Sequence, residues 1–215
     1  MEENSESARL LMHKKFFLFF IPVLFCLLFT SGRAHAQYAY WGFKGGIQAN
    51  KITGLSFDSK MTPGFNVGIF GNFILSKKFA LQHELLYTQR GFGGTTKDSV
   101  DVKGNLPYIE LPWCLYYNIN RAFHLQFGVQ PVIYMFFKQP QRDSSEFSKY
   151  NVNPIDFAGI LGAGFIMDNN LLFGIRLTVS SGQTFNTTEF GGRNVTLQAY
   201  MGYAVNRKVK KKKKK

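Results

Sequence analysis

The chain has 215 residues and a formal net charge of +13, from 26 Lys or Arg against 13 Asp or Glu, and it has only two cysteines. That length suits one ordinary domain. The charge is unevenly placed: residues 207–215 hold eight bases and no acid, residues 1–36 four bases and three acids, and residues 37–206 fourteen bases and ten acids. A body so near balance argues against nucleic acid as a partner. A single cysteine beyond the first segment, Cys114, rules out an internal disulfide there.

Residues 1–36 read as an export signal. Lys14 and Lys15 precede an apolar run from Phe16 to Phe29, and Ala34 and Ala36 flank His35 in an A-x-A site. These are the three parts of a secretory signal peptide, with cleavage expected before Gln37. The run falls short of the ~20 apolar residues of a spanning helix.

From Trp41 onward the apolar spacing has period two, never that of an amphipathic helix, so residues 37–206 are expected to be all-β. Strands are expected near 40–49, 64–75, 79–90, 106–118, 122–135, 154–167, 171–181 and 193–205. Short polar turns, SKK at 76–78, NINR at 118–121 and DNN at 168–170, alternate with long connections near 50–63, 91–105, 136–153 and 182–192. Strict alternation of short and long is the pattern of an outer-membrane barrel, with short periplasmic turns and long extracellular loops. The expected fold is therefore a closed eight-stranded antiparallel transmembrane β-barrel. Strands crossing hydrocarbon must close on themselves, because an open edge has nothing to bond.

Alternation also sorts the faces. In 79–90, Phe79, Leu81, His83, Leu85 and Tyr87 oppose Gln82, Glu84, Leu86, Thr88 and Arg90; in 171–181, Leu171, Phe173, Ile175, Leu177 and Val179 oppose Gly174, Arg176, Thr178 and Ser180. Apolar residues outward against lipid leave Lys44, Glu84, Arg90, Glu110 and Arg176 inside, with Asp156 near a strand end and His124 beside them. Glu84 and Glu110 are expected to pair with Lys44 and Arg176 in a structural lumen network. Phe73, Phe79, Tyr117, Phe123, Phe165, Phe173 and Tyr203 gather beside the short turns as an aromatic girdle. An apolar face turned inward would instead give a soluble, lipocalin-like ligand carrier. Pro107, Pro112 and Pro131 each remove a ladder donor and suggest bulges or bends.

WGFKGGIQANKI, then PGFNVGIFGNFILSKKFALQHELLYTQRGFG, LPYIELPWCLYYNI and FHLQFGVQPVIY, together spanning about residues 37–135, resemble the PorT-like outer-membrane β-barrel domain family of Bacteroidota. The resemblance implies an eight-stranded barrel in the outer membrane. It also raises a role as accessory subunit of type IX-like protein secretion, which fold kinship does not transfer. Barrels of this kind usually end on an aromatic residue, whereas here Tyr203-Ala204-Val205 runs on into lysines.

No Ser, His and acid are brought together by the alternation, and no Cys pair or His cluster suggests a metal. The Gly-rich piece GFGG at 91–94 is expected in a loop, without the helix a phosphate site needs. The sequons at Asn186 and Asn194 carry no meaning in this compartment, and 207–215 is expected to be a disordered basic tail. The sum is a non-enzymatic, cofactor-free membrane protein without a wide pore. Its expected partners are outer-membrane lipid and, through the loops, other envelope proteins.

Overall fold

The computed structural model describes residues 38–53, 58–95, 101–135, 154–182, 184 and 192–207. The export signal, the 136–153 connection, Asn186 and the tail beyond Arg207 lie outside the described residues. The strands are β1 (Tyr38–Thr53), β2 (Asp58–Ser59), β3 (Thr62–Ile74), β4 (Phe79–Thr95), β5 (Asp101–Glu110), β6 (Trp113–Asn118), β7 (Phe123–Tyr134), β8 (Ile155–Ile166), β9 (Leu171–Ser180) and β10 (Arg193–Ala204). β5 and β6 lie end to end as one stave between β4 and β7, and β2 pairs only with the far end of β4. The remaining strands pair antiparallel in sequence order, and β10 returns to β1 from Gly42↔Ala204 to Thr53↔Arg193. Eight staves thus close into a barrel.

The register fixes its girth. Partners traced once around the wall run Tyr38, Ile74, Ala80, Tyr116, Gln126, Gly162, Arg176, Gln198, and regain β1 at Gln48, ten residues beyond the start. Ten residues at ~3.3 Å set against eight spacings of ~4.8 Å tilt the strands by about 40°. A cylinder of eight strands at that tilt is just wide enough for its own side chains to fill.

The apolar residues face outward. Leu85 (46% exposed), Phe127 (45%), Ile175 (61%) and Ile47 (72%) all point away from the lumen, while Lys44, Glu84, Gln126 and Arg176 are buried. A lipocalin-like carrier needs the reverse, so that reading is set aside. On β4 the apolar outer face runs from Phe79 to Tyr87 before Gln89; at ~3.3 Å per residue and a 40° tilt this is a band roughly 20–25 Å tall, the height of an outer-membrane barrel's apolar belt.

Each short turn is closed by a side chain. Ser76 Oγ accepts from Lys78 N (3.3 Å) and Phe79 N (3.0 Å). Asn120 Oδ1 accepts from Ala122 N and Phe123 N, both at 2.8 Å. In the β8–β9 turn Asn169 Oδ1 accepts from Leu171 N (3.2 Å), and Asn170 has φ 70°, a conformation that asparagine tolerates better than most residues.

Three expectations need correction. The prolines make no bulge: Leu86↔Glu110 and His83↔Trp113 share one register, as do Glu110↔Val132 and Trp113↔Val129. Each proline keeps the bond it can still make, with Pro112 O accepting from Glu84 N, Pro131 O from Leu111 N, and Pro107 O from Met135 N. Second, the GFGG segment is strand, since β4 and β5 stay paired out to Thr95↔Asp101. Third, β1 runs to Thr53, into the connection expected at 50–63. Beyond the bilayer, side-chain alternation is no longer imposed by lipid, but the backbone ladder continues because each strand still satisfies the other.

Asn170→Val should lower the unfolding free energy by about 1–2 kcal/mol, since a β-branched residue disfavours positive φ, whereas Asn170→Gly should leave it unchanged or higher. Urea titration of the refolded barrel measures both, and equal effects from the two variants would show that backbone geometry is not the determinant.

Candidate functional site

The lumen is organised around one carboxylate. Glu84 sits on β4, two residues from Gln82 on the same inward face, and Gln82 Nε2 donates to Glu84 Oε1 at 2.7 Å. Lys44 of β1 donates from Nζ to both carboxylate oxygens at 2.9 Å. Arg176 of β9 donates from Nη1 to Oε2 (3.0 Å) and from Nη2 to Oε1 (2.8 Å), a bidentate pair. β4 and β9 are four staves apart among eight, so this contact crosses the full diameter of the barrel.

Aromatic and amide groups complete the plug. The Lys44 ammonium lies 3.6 Å from the centre of the Tyr200 ring, and the Arg176 guanidinium carbon 5.4 Å from the same ring. The ring's negative face offsets part of the second positive charge. Arg176 Nη2 also donates to Gln126 Oε1 (2.9 Å), Gln126 Nε2 donates to the Tyr200 hydroxyl, and the His124 ring stacks on Tyr116 at 4.5 Å. Asn72 Nδ2 extends the chain of bonds to Gln82 Oε1 (3.0 Å).

Room for these groups comes from glycine. A Cβ on Gly174 would overlap the Tyr200 phenol, and one on Gly164 would lie 2.7 Å from His124 Nε2.

The second pair is separate and nearer the long-loop end. Arg90 donates from Nε (2.9 Å) and Nη2 (2.5 Å) to Glu110 Oε1, with its guanidinium 5.1 Å from the Tyr108 ring. The five expected charges are therefore all lumenal, but their pairing differs from expectation: Glu110 meets Arg90, while Lys44 and Arg176 share Glu84. Glu110 lies opposite Leu86, and Arg90, four residues further along that neighbouring strand, reaches it on a diagonal. Sequence reasoning placed Gln82 inside without a role; Tyr200 of β10 and Gln126 of β7 share that inward face, and the signal for a role was an aromatic or amide on the cations' face. Asp156, half-buried, accepts from Phe157 N (2.8 Å) and Gly182 N (3.1 Å). Among the described residues, no three His, Cys, Asp or Glu side chains form a group that could hold a metal ion.

On the outer wall the aromatics beside the short turns touch in sequence round the circumference. Phe79 packs on Tyr117 (5.4 Å between centroids), Phe123 on Phe165 (5.9 Å) and Phe165 on Phe173 (5.3 Å). Phe73 and Tyr203 are exposed at the same end, Phe73 next to His83 (5.8 Å) and Tyr203 opposite Phe43.

A tilted cylinder that is apolar outside, polar inside and closed from its last strand to its first is an integral β-barrel of the outer membrane. The chain belongs to the outer membrane protein beta-barrel domain family, whose model matches residues 31–186. Among solved structures it is similar to Ail, the attachment invasion locus protein of Yersinia pestis, with 13% identity over 78% of this chain and 99% of that one and a TM-score of 0.44. OprG from Pseudomonas aeruginosa gives 13%, 79%, 95% and 0.45 in the same order, and outer membrane protein W of E. coli 13%, 78%, 98% and 0.41. No curated protein sequence matches it.

Glu84→Gln leaves two buried cations without their carboxylate and should destabilise the barrel by about 3–5 kcal/mol, read from its urea midpoint. Glu110→Gln should act the same way but more weakly, because it strands one cation instead of two. Adding Arg90→Met should recover part of the Glu110→Gln loss, whereas adding Lys44→Met should not; rescue by Lys44→Met alone contradicts the pairing.

Proposed function

We propose that this protein is a non-enzymatic outer-membrane scaffold whose barrel is stoppered by its own side chains and whose long connections meet partners outside the cell or other envelope proteins. The observation carrying this reading is the Glu84 hub: a diametral Arg176 contact, Lys44 on the same carboxylate, and both cations at most 2% exposed. A lumen so occupied offers no water-filled path, and its hub carboxylate is held by two cations, which suits structure more than acid–base chemistry. The lumen network is assigned a stabilising role and the aromatic ring an anchoring role at the periplasmic interface.

The PorT-like character of residues 37–135 supports a second reading as an accessory subunit of protein secretion. Affinity purification from detergent-solubilised outer membranes separates the two, since a subunit brings a stoichiometric complex with it. For the stoppered barrel, the refolded protein in planar lipid bilayers should hold a flat current baseline. Sustained unit conductance steps from the unmodified protein would overturn the reading.

A further inference from the structure

The short-turn end of the barrel carries a composition that neither the lumen nor the loops explain. Lys77 and Lys78 in the β3–β4 turn and Arg121 in the β6–β7 turn are exposed bases. Arg207 follows β10 and donates from Nη1 to Met167 O in the β8–β9 turn (3.0 Å), so a guanidinium sits there too. The chain is held as it leaves the wall: Val205 N donates to Trp41 O (2.8 Å) and Trp41 N to Asn206 Oδ1 (3.0 Å). Asp168 is the acid among these turn residues, and residues 208–215 add seven lysines in sequence. The sequence of the long connections, by contrast, mixes signs, with Asp98, Asp143, Glu146 and Glu189 interleaved among bases.

Each basic turn also exposes a large apolar residue: Leu75 beside Lys77, Ile119 beside Arg121, and Met167 and Val205 beside Arg207. Bases mixed with apolar side chains make a poor water-facing surface and a good interfacial one. The apolar groups enter the acyl boundary while the charged heads reach the headgroups. Depth agrees, because Lys78 directly precedes Phe79, and Arg121 stands two residues before Phe123, both members of the aromatic ring. The turns lie about a quarter of the circumference apart, as contacts to a surrounding bilayer would.

We propose that Lys77, Lys78, Arg121 and Arg207, with their apolar neighbours, form a ring that binds the anionic phospholipid headgroups of the inner leaflet around the barrel. This goes beyond the scaffold reading and does not depend on what the loops bind. Contact with an anionic leaflet adds stability that neutral lipid does not supply and that salt weakens.

The test refolds the full chain into vesicles of phosphatidylcholine alone or with about 30% phosphatidylglycerol and follows heat-modifiable gel migration. The unfolding midpoint should rise by about 5 °C or more in the anionic vesicles, and the gain should shrink at about 0.5 M salt. K77S/K78S/R121S should lose most of the gain while keeping its midpoint in phosphatidylcholine. Deletion of 208–215 should keep most of it, since the ring is intact. An equal drop for the triple variant in both lipids overturns the proposal by making the bases purely structural. Salt-sensitive co-sedimentation with purified peptidoglycan, abolished in the triple variant and without any lipid dependence, overturns it in favour of the cell wall.

Discussion

Inside hydrocarbon a backbone N–H or C=O without a partner costs several kcal/mol, and no water is present to supply one. The seam between β1 and β10 is where this chain meets that constraint: from Gly42↔Ala204 to Thr53↔Arg193 the last strand bonds the first. The stave count and the ten-residue stagger around the wall then set the tilt and the girth. The girth in turn decides that the interior holds side chains and nothing wider. The three strand prolines survive in the wall because each retains its carbonyl bond and forfeits only its missing donor.

A narrow polar interior has to neutralise its own charges. Two cations and one carboxylate meet at Glu84, and the surplus is spread over the Tyr200 face and the Gln126 amide. Such an arrangement is weak as a source of net stability, since apolar residues of like volume often do as well. In the structural role proposed for it, the network favours one register over its alternatives. A one-residue slip of β1, β4 or β9 would turn Lys44, Glu84 or Arg176 into lipid, and the observed stagger brings Arg176 across the diameter to Glu84.

The outer surface is graded along the barrel axis. The aromatic ring and the apolar turn residues lie at one end, and at the other the β4–β5 ladder continues past the apolar band to Thr95↔Asp101. The two ends differ in that the short turns stop beside the aromatic ring while the β4–β5 ladder runs on beyond the apolar band. The proposed contacts with partners fall to the long connections, as binding residues commonly do.

The sequence by itself determined where most of the strands lie, the two faces, the three short turns and the identity of the lumenal charges. These follow from a period-two pattern written along the chain, so Leu85 outward and Glu84 inward could be read residue by residue. Only the tertiary structure decided which charges meet, because pairing across a closed barrel depends on a stagger summed over all eight staves, which no local window contains. That is why the Arg176–Glu84 contact could not be read from the sequence; Glu110, expected with Lys44 or Arg176, is found with Arg90, four residues along the adjacent strand, a pairing set by the β4–β5 register. The strand character of GFGG and the unbroken register through Pro112 were hidden for the same reason: both rest on what the neighbouring strand offers, and that partner is fixed by the fold.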